Sequence, residues 1–213
     1  MLVKDIMVYN VITIPADTYV LDAERIMESH KIGRLPVLDK GKLVGLVTKD
    51  DLLKASPSST TPFNQRQLFY LMSKLTVKEI MKTNVVTITP DKTVEKAVAL
   101  AQKNRVGCLP VVENGKVIGI VTTNDVFYKI LNPLLGIGEK GKRIIVYGAG
   151  DREDHHKVIE QVNKAGLKVK TFWLPPDPHR NDLVLHLDAD DVTSLMAALK
   201  ALGYEADIRE YTA

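Results

Sequence analysis

The sequence predicts a mixed α/β (α+β) chain. Two β-α-β-β-α repeats pack as a pseudo-twofold pair, and one β-α-β-β-α-β unit follows. Three observations carry this prediction. The first part of the chain repeats itself at a fixed offset of 74 residues. Each copy interleaves apolar runs of strand period with apolar runs of helical period. Beyond a glycine-rich stretch, Gly136 to Gly141, the repeat stops and a different alternation begins.

The duplication is read directly. Val3-Lys4-Asp5-Ile6-Met7 matches Val77-Lys78-Glu79-Ile80-Met81, and Asn10-Val11-Ile12-Thr13-Ile14 matches Asn84-Val85-Val86-Thr87-Ile88. Gly33-Arg34-Leu35-Pro36-Val37 matches Gly107-Cys108-Leu109-Pro110-Val111. The copies align without a gap, and about 20 of some 50 aligned pairs are identical. This is a tandem duplication.

Each copy opens with a short turn around Ile6 or Ile80. An alternating strand follows, Val11 to Ile14 or Val85 to Ile88, with side chains pointing to two faces. Asp17 or Asp91 marks the start of a helix. Val20, Ala23, Ile26 and Met27, or Val94, Ala97, Val98 and Ala101, give that helix one apolar face. Glycine hairpins at Asp39-Lys40-Gly41-Lys42 and Glu113-Asn114-Gly115-Lys116 join two strands each, Leu35–Leu38 with Leu43–Val47 and Leu109–Val112 with Val117–Val121. A closing helix begins near Asp51 or Asp125. One such unit is too small to cover both faces of its sheet, so the two pack together.

Between the copies, residues 53–62 have linker composition, rich in Ser, Thr and Pro. A helix over 64–75 should follow, with Leu68, Leu71, Met72 and Leu75 at helical spacing and Phe69 and Tyr70 widening that face. After the glycine-rich boundary come a strand, Ile144–Tyr147, and a helix, Asp154–Ala165, ended by Gly166. A strand, Leu167–Trp173, a rigid turn over 174–180 and a strand, Leu183–Leu187, come next. A helix starting at Asp190 or Asp191 and ended by Gly203, then a strand, Tyr204–Ile208, complete a ferredoxin-like order. The plan is therefore residues 1–60 for the first repeat, 61–76 for a linker helix, 77–135 for the second repeat and 142–213 for the last unit.

Bulk properties exclude several classes. Among 213 residues, 45% are hydrophobic and 26% charged, ordinary for a soluble globular protein. The formal net charge of +3 is too small and too evenly spread for a nucleic-acid binder. Cys108 is the one cysteine, so no internal disulfide forms, which fits a reducing cytoplasm. Met1-Leu2-Val3-Lys4-Asp5 lacks the basic start and apolar core of a signal peptide. No apolar run approaches the roughly 20 residues a membrane helix needs.

The chemistry concentrates in one stretch that occurs twice, Gly45-Leu46-Val47-Thr48-Lys49-Asp50-Asp51 and Gly119-Ile120-Val121-Thr122-Thr123-Asn124-Asp125. In each, a strand ends where a helix begins, with a hydroxyl and a carboxylate at the junction. Helix N-terminal amides favour phosphate. The Asp can accept from vicinal hydroxyls such as those of a ribose, and the Thr hydroxyl can donate to phosphate. No nucleophile and no general base accompany them. The alternative is that Thr48 with Asp51, and Thr122 with Asp125, are capping boxes; capping and binding can coexist.

These motifs, agreeing in order and spacing twice, resemble the CBS domain, and the tandem resembles a Bateman module over roughly residues 1–135. The resemblance implies a regulatory sensor of adenine nucleotides (AMP, ADP, ATP, in some members S-adenosylmethionine or NAD). It also implies that each cleft is shared between repeats. One cleft would join Thr122 and Asp125 to Thr13, Ile14, Ile32, Gly33, Arg34, Leu35 and Pro36. The other would join Thr48 and Asp51 to Thr87, Ile88, Val106, Gly107, Cys108, Leu109 and Pro110. Apolar strand residues would sandwich the adenine and the Asp would hold the ribose. Because Arg34 aligns with Cys108, and a guanidinium grips phosphate where a thiol cannot, the Arg34/Asp125 cleft is expected to prefer phosphorylated ligands. The other cleft is expected to take a nucleoside-like ligand or none. Cys108 reads as a small buried residue.

The last unit resembles an ACT domain, a class that binds amino acids at the first strand–helix loop. Here that loop is Gly148-Ala149-Gly150-Asp151-Arg152-Glu153-Asp154, which lacks the usual Pro-Gly. The whole order resembles acetoin utilization proteins of the AcuB type. These resemblances imply a cytoplasmic homodimer that relays nucleotide binding to the ACT-like unit or to a client protein. No cofactor is required beyond the regulatory adenine nucleotide, and neither nucleic acid nor membrane is a partner. The rival readings are a scaffold acting through the 64–75 helix and an enzyme with its site in the 148–154 loop. His155, His156, His179 and His186 lack the paired spacing of a zinc site. No catalytic residues and no metal ligands are assigned. His186 alternates with Leu185 and Leu187 and should face away from the core.

Overall fold

The computed structural model describes residues 1–55, 70, 73–176 and 179–209. The chain divides into two compact units, Met1–Val126 and Phe127–Ala213. Most of the expected 64–75 helix, including Leu68, Phe69, Leu71 and Met72, lies outside the described residues, as do Asp177 and Pro178 of the expected rigid turn.

The first unit holds both repeats. Each opens with a single helical turn, α1 (Val3–Ile6) and its counterpart α4 (Val77–Ile80). The next segment is shorter as a strand than its alternation suggests. In the first repeat a two-residue strand β1 (Val8–Tyr9) precedes β2 (Ile14–Pro15); in the second, isolated bridges at Lys82 and Ile88 take their places. β2 is an edge strand, and Pro15 has no N–H with which to extend the ladder. The long helices α2 (Val20–Ser29) and α5 (Val94–Asn104) start three residues after Asp17 and Asp91. Asp17 therefore does not begin α2, whose cap is Tyr19, and the Thr93 hydroxyl caps α5 by accepting from the Lys96 N–H at 3.2 Å.

Both hairpins form as the sequence expects. Strands β3 (Arg34–Asp39) and β4 (Lys42–Thr48) flank Lys40-Gly41, and β5 (Cys108–Glu113) and β6 (Lys116–Thr122) flank Asn114-Gly115. Both loop residues have positive φ, 47° and 79° in the first loop and 49° and 76° in the second. That is the two-residue turn whose twist matches paired strands and whose second position favours glycine. Helices α3 (Lys49–Ala55) and α6 (Thr123–Val126) close the repeats.

The repeats exchange their opening segments. The Val3 and Lys4 N–H groups donate to the Lys92 and Pro90 carbonyls of the second repeat. Symmetrically, Val77 and Lys78 donate to Thr18 and Ala16 of the first. β1 joins the second repeat's sheet, giving the order β1-β6-β5, with Val8 opposite Ile120. Lys82, the counterpart of Val8, bridges Leu46 of β4 through two 2.9 Å backbone hydrogen bonds. Val77 is thus buried in the first repeat's core with Val20, Ala23, Met27, Leu35, Val37 and Val47. Leu46, Cys108 and Ile120 form a small apolar cluster, with Val11 and Val85 beside it.

In the second unit a π-helical turn (Phe127–Leu131) and α7 (Asn132–Leu135) precede a four-stranded sheet. Its strands are β7 (Lys142–Val146), β8 (Val169–Trp173), β9 (Leu183–Leu187) and β10 (Ala206–Arg209). The order is β10-β7-β9-β8, antiparallel throughout, which is the ferredoxin-like arrangement. Helices α8 (Arg152–Lys164) and α9 (Thr193–Ala201) present Val158 and Val162, and Leu195 and Leu199, at i, i+4 to the same core as Ile144, Val146, Leu183, Leu185 and Leu187. Fully burying each such aliphatic side chain contributes about 1.5–3 kcal/mol. α8 begins at Arg152 because the Asp151 carboxylate accepts from the Glu153 and Asp154 N–H groups at 3.0 and 2.9 Å; the sequence reading had placed the start at Asp154. Likewise α9 starts at Thr193, and Asp191 lies before it, accepting from the Thr193 N–H and hydroxyl.

His186 departs from expectation. It lies on the sheet face opposite the Leu185 core, as alternation requires, yet it is 3% exposed. Its Nε2 sits 3.1 Å from the Lys140 carbonyl, and a β-carbon at Gly136 would collide with its ring. The segment Gly136–Gly141 covers this face locally, so the histidine is buried there too.

Candidate functional site

The two Thr–Asp junctions have the same geometry to within a tenth of an ångström. In the first, the Thr48 N–H and hydroxyl donate to Asp51 Oδ2 at 2.9 and 2.6 Å, and the Asp51 N–H donates back to Thr48 Oγ1 at 3.3 Å. In the second, Thr122 and Asp125 reproduce all three distances. These are reciprocal capping boxes, formed because a strand runs straight into a helix whose first amides need acceptors. Both donors of each Thr go to one carboxylate oxygen, Oδ2. Capping therefore engages Oδ2 of each aspartate.

The remaining candidates group as follows. Ile14 pairs in parallel with Val37, which sets Thr13 and Ile14 beside Leu35 and Pro36 of β3. The Ile88 N–H donates to the Pro110 carbonyl at 3.1 Å, which sets Thr87 and Ile88 beside Leu109-Pro110. The Lys49 N–H donates to the Gly33 carbonyl at 2.9 Å, and Thr123 to Gly107 at 3.2 Å, tying each glycine turn to its own repeat's closing helix. Ile32 and Val106, at the turns, are half-buried.

Arg34 reaches both repeats. Its backbone is opposite Thr48, and its guanidinium lies against Gly107, where a β-carbon would stand 2.8 Å from Nη2. Strand alternation explains the direction: Leu35 and Val37 face the first repeat's core, so Arg34 projects from the opposite face, toward the second repeat. Cys108 is buried, as expected. Burial pushes its thiol pKa up, an effect that the positive charges of Arg34 and Lys82 partly oppose.

Lys82 was missed by the sequence reading. Its Nζ lies 3.5 Å from Asp51 Oδ1, the oxygen that Thr48 leaves available. The Asp51 side chain is 10% exposed and the lysine 65% exposed. The signal was present in the aligned repeats, since Lys82 stands where the first repeat has Val8. Lys82 therefore stands beside Asp51, and its charge and that of Arg34, from different repeats, both act on Cys108.

Among the described residues, no group of three or more His, Cys, Asp or Glu side chains could hold a metal ion, and no helix is long and apolar enough to cross a membrane.

Comparison with known proteins follows the same division of the chain. The family model for the CBS domain matches residues 3–58 and again 77–132. A CBS domain-containing protein of Dictyostelium discoideum is 36% identical over 138 residues, covering 62% of this chain and 95% of that protein. An inosine-5'-monophosphate dehydrogenase of Korarchaeum cryptofilum is 34% identical over 140 residues, 65% of this chain but only 26% of the enzyme. Among solved structures, a Vibrio cholerae protein described as acetoin utilization protein (AcuB) superposes with a TM-score of 0.53 at 31% identity, covering 65% of this chain and 95% of that one. CBSX2, solved in complex with AMP, superposes with a TM-score of 0.51 at 30% identity, covering 62% and 97%.

Proposed function

The chain belongs to the CBS-domain family, and from that premise we propose that it is a regulatory sensor of adenine nucleotides and not an enzyme. AMP, ADP or ATP, or S-adenosylmethionine or NAD, binds between the repeats. The bound state is relayed to the ferredoxin-like unit, read here as ACT-like, or to a client protein. The working form is a cytoplasmic homodimer. The observation that carries this reading is the paired Thr–Asp junction, which sets a carboxylate at the same place in both repeats. Lys82 beside the Asp51 junction supplies positive charge of the kind a phosphate needs. CBSX2 with AMP bound supplies the precedent for the ligand class.

The relay requires only that ligand bind two arrangements of the module with different affinity. Isothermal titration with AMP, ADP, ATP and S-adenosylmethionine tests the reading, run on the unmutated chain and on Asp51→Ala and Asp125→Ala. Saturable binding that either substitution weakens supports it. No binding by the unmutated protein sinks it and leaves a scaffold acting through residues 64–75.

A further inference from the structure

The two junctions share their caps but not their neighbours. At the first, Lys82 reaches across from the second repeat to Asp51 Oδ1 at 3.5 Å. At the second, the equivalent backbone position is Val8, opposite Ile120 as Lys82 is opposite Leu46. Valine brings no charge. Lys82 is held in place by its backbone, through the paired hydrogen bonds to Leu46, while its side chain remains largely exposed. Its ammonium can therefore swing without disturbing the fold. Arg34, from the first repeat, carries a second cation to Gly107.

A ligand whose ribose takes Asp51 Oδ1 must first displace Lys82. A nucleoside gives the displaced ammonium nothing in return. A nucleotide offers it a phosphate, and a charge-assisted hydrogen bond there replaces the ion pair given up. S-adenosylmethionine brings positive charge to a site that already holds a cation.

We propose that Lys82 makes the Asp51 cleft selective for phosphorylated adenosine ligands: it guards Asp51 Oδ1 before ligand arrives and transfers to the phosphate as the ribose takes its place. This reverses the order of the clefts expected from position 34 alone, and it rests on the adenine-nucleotide reading above. The same exchange excludes uncharged and cationic adenosine derivatives from this cleft.

The test compares AMP with adenosine by isothermal titration of the full chain. Asp125→Ala silences the second cleft, and Lys82→Val then installs the residue that the first repeat has at this place. The preference for AMP over adenosine should fall by about tenfold, the worth of one charge-assisted bond. AMP should weaken and adenosine should tighten. The reciprocal variant, Val8→Lys in an Asp51→Ala background, should raise the AMP preference of the other cleft. Circular dichroism confirms that each variant is folded. If Asp125→Ala binds AMP and the added Lys82→Val leaves the preference unchanged, the guard role is overturned while the sensor reading stands. Loss of all AMP binding in Asp125→Ala alone overturns the assignment to the Asp51 cleft. If neither ligand binds the unmutated chain, the sensor reading falls and this proposal falls with it.

Discussion

The Met81 sulfur occupies the space in which Gly45 would carry a side chain. Met7 does the same over Gly119, where a β-carbon would stand 2.6 Å from Sδ. Each glycine lies on the strand leading to a Thr–Asp junction, and each methionine ends the opening turn of the other repeat. The exchanged segments are therefore seated through a glycine that nothing larger can replace. Gly45→Ala should displace Met81 and press on the Lys82 carbonyl, 3.3 Å from the new carbon. We expect a loss of about 1–3 kcal/mol, the usual range for overpacking. Gly33→Ala, with nothing within 4 Å of its added carbon, is the control. Denaturant midpoints of the two variants measure the difference; equal midpoints would contradict this account.

Capping and ligand binding should separate at Asp125. An asparagine keeps an acceptor oxygen for the Thr122 N–H and hydroxyl but carries no charge. Asp125→Asn should stay folded with a small loss of stability. Asp125→Ala should lose the cap, at about 1 kcal/mol. Both should weaken nucleotide binding at that cleft. Thermal unfolding and titration on the same preparations check both halves, and full affinity in Asp125→Asn would assign this carboxylate to capping alone.

Cys108 should react slowly. Burial raises its thiol pKa, so less of it is thiolate at neutral pH than in an unfolded chain. Alkylation by iodoacetamide near neutrality should be slow in the native protein and fast in denaturant. Arg34→Ala and Lys82→Ala remove the two charges that oppose the shift, so each should slow the native reaction further if the site stays closed. A native rate matching the denatured one would refute the burial.

The hydrogen bond from the Tyr204 hydroxyl to Asp154 should give the second unit a pH signature. Burial, and then Asp154, push the tyrosine pKa up to about 12. Tyr204, then Lys157, hold the Asp154 carboxyl below its ordinary value. The tyrosine's contribution is complete below its unfolded pKa and is lost as pH rises through about 12. The aspartate's contribution is present above the ordinary carboxylate range and is lost as pH falls through its lowered value. Tyr204→Phe should lower the melting temperature near neutrality, and the gap should close in acid. A gap independent of pH would show that the hydroxyl acts by packing alone.

Much of this was legible in the chain itself. The offset of 74 residues, the hairpin glycines and the spacing of Val158 with Val162 or Leu195 with Leu199 gave the repeats, the turns and the helix faces. The Thr–Asp junctions were legible because capping is local and four consecutive residues suffice to define it. Boundaries were less so. Asp154 gave way to Asp151 because several acidic residues stand near that helix start and the backbone path chooses among them, and Asp17 gave way to Tyr19, which caps α2 with no side-chain hydrogen bond.

The sequence by itself determined the duplication, the ferredoxin-like order and the paired Thr–Asp junctions. Local propensity and periodicity carry that information. Only the tertiary structure decided where the long cations go. Arg34 turned to Gly107 of the other repeat, Lys82 crossed to Asp51, and His186 became buried on the outer face of its sheet. An arginine or lysine side chain can span from one repeat to the other, so its partner is set by which backbones the fold brings within reach. Position in the chain does not encode that distance.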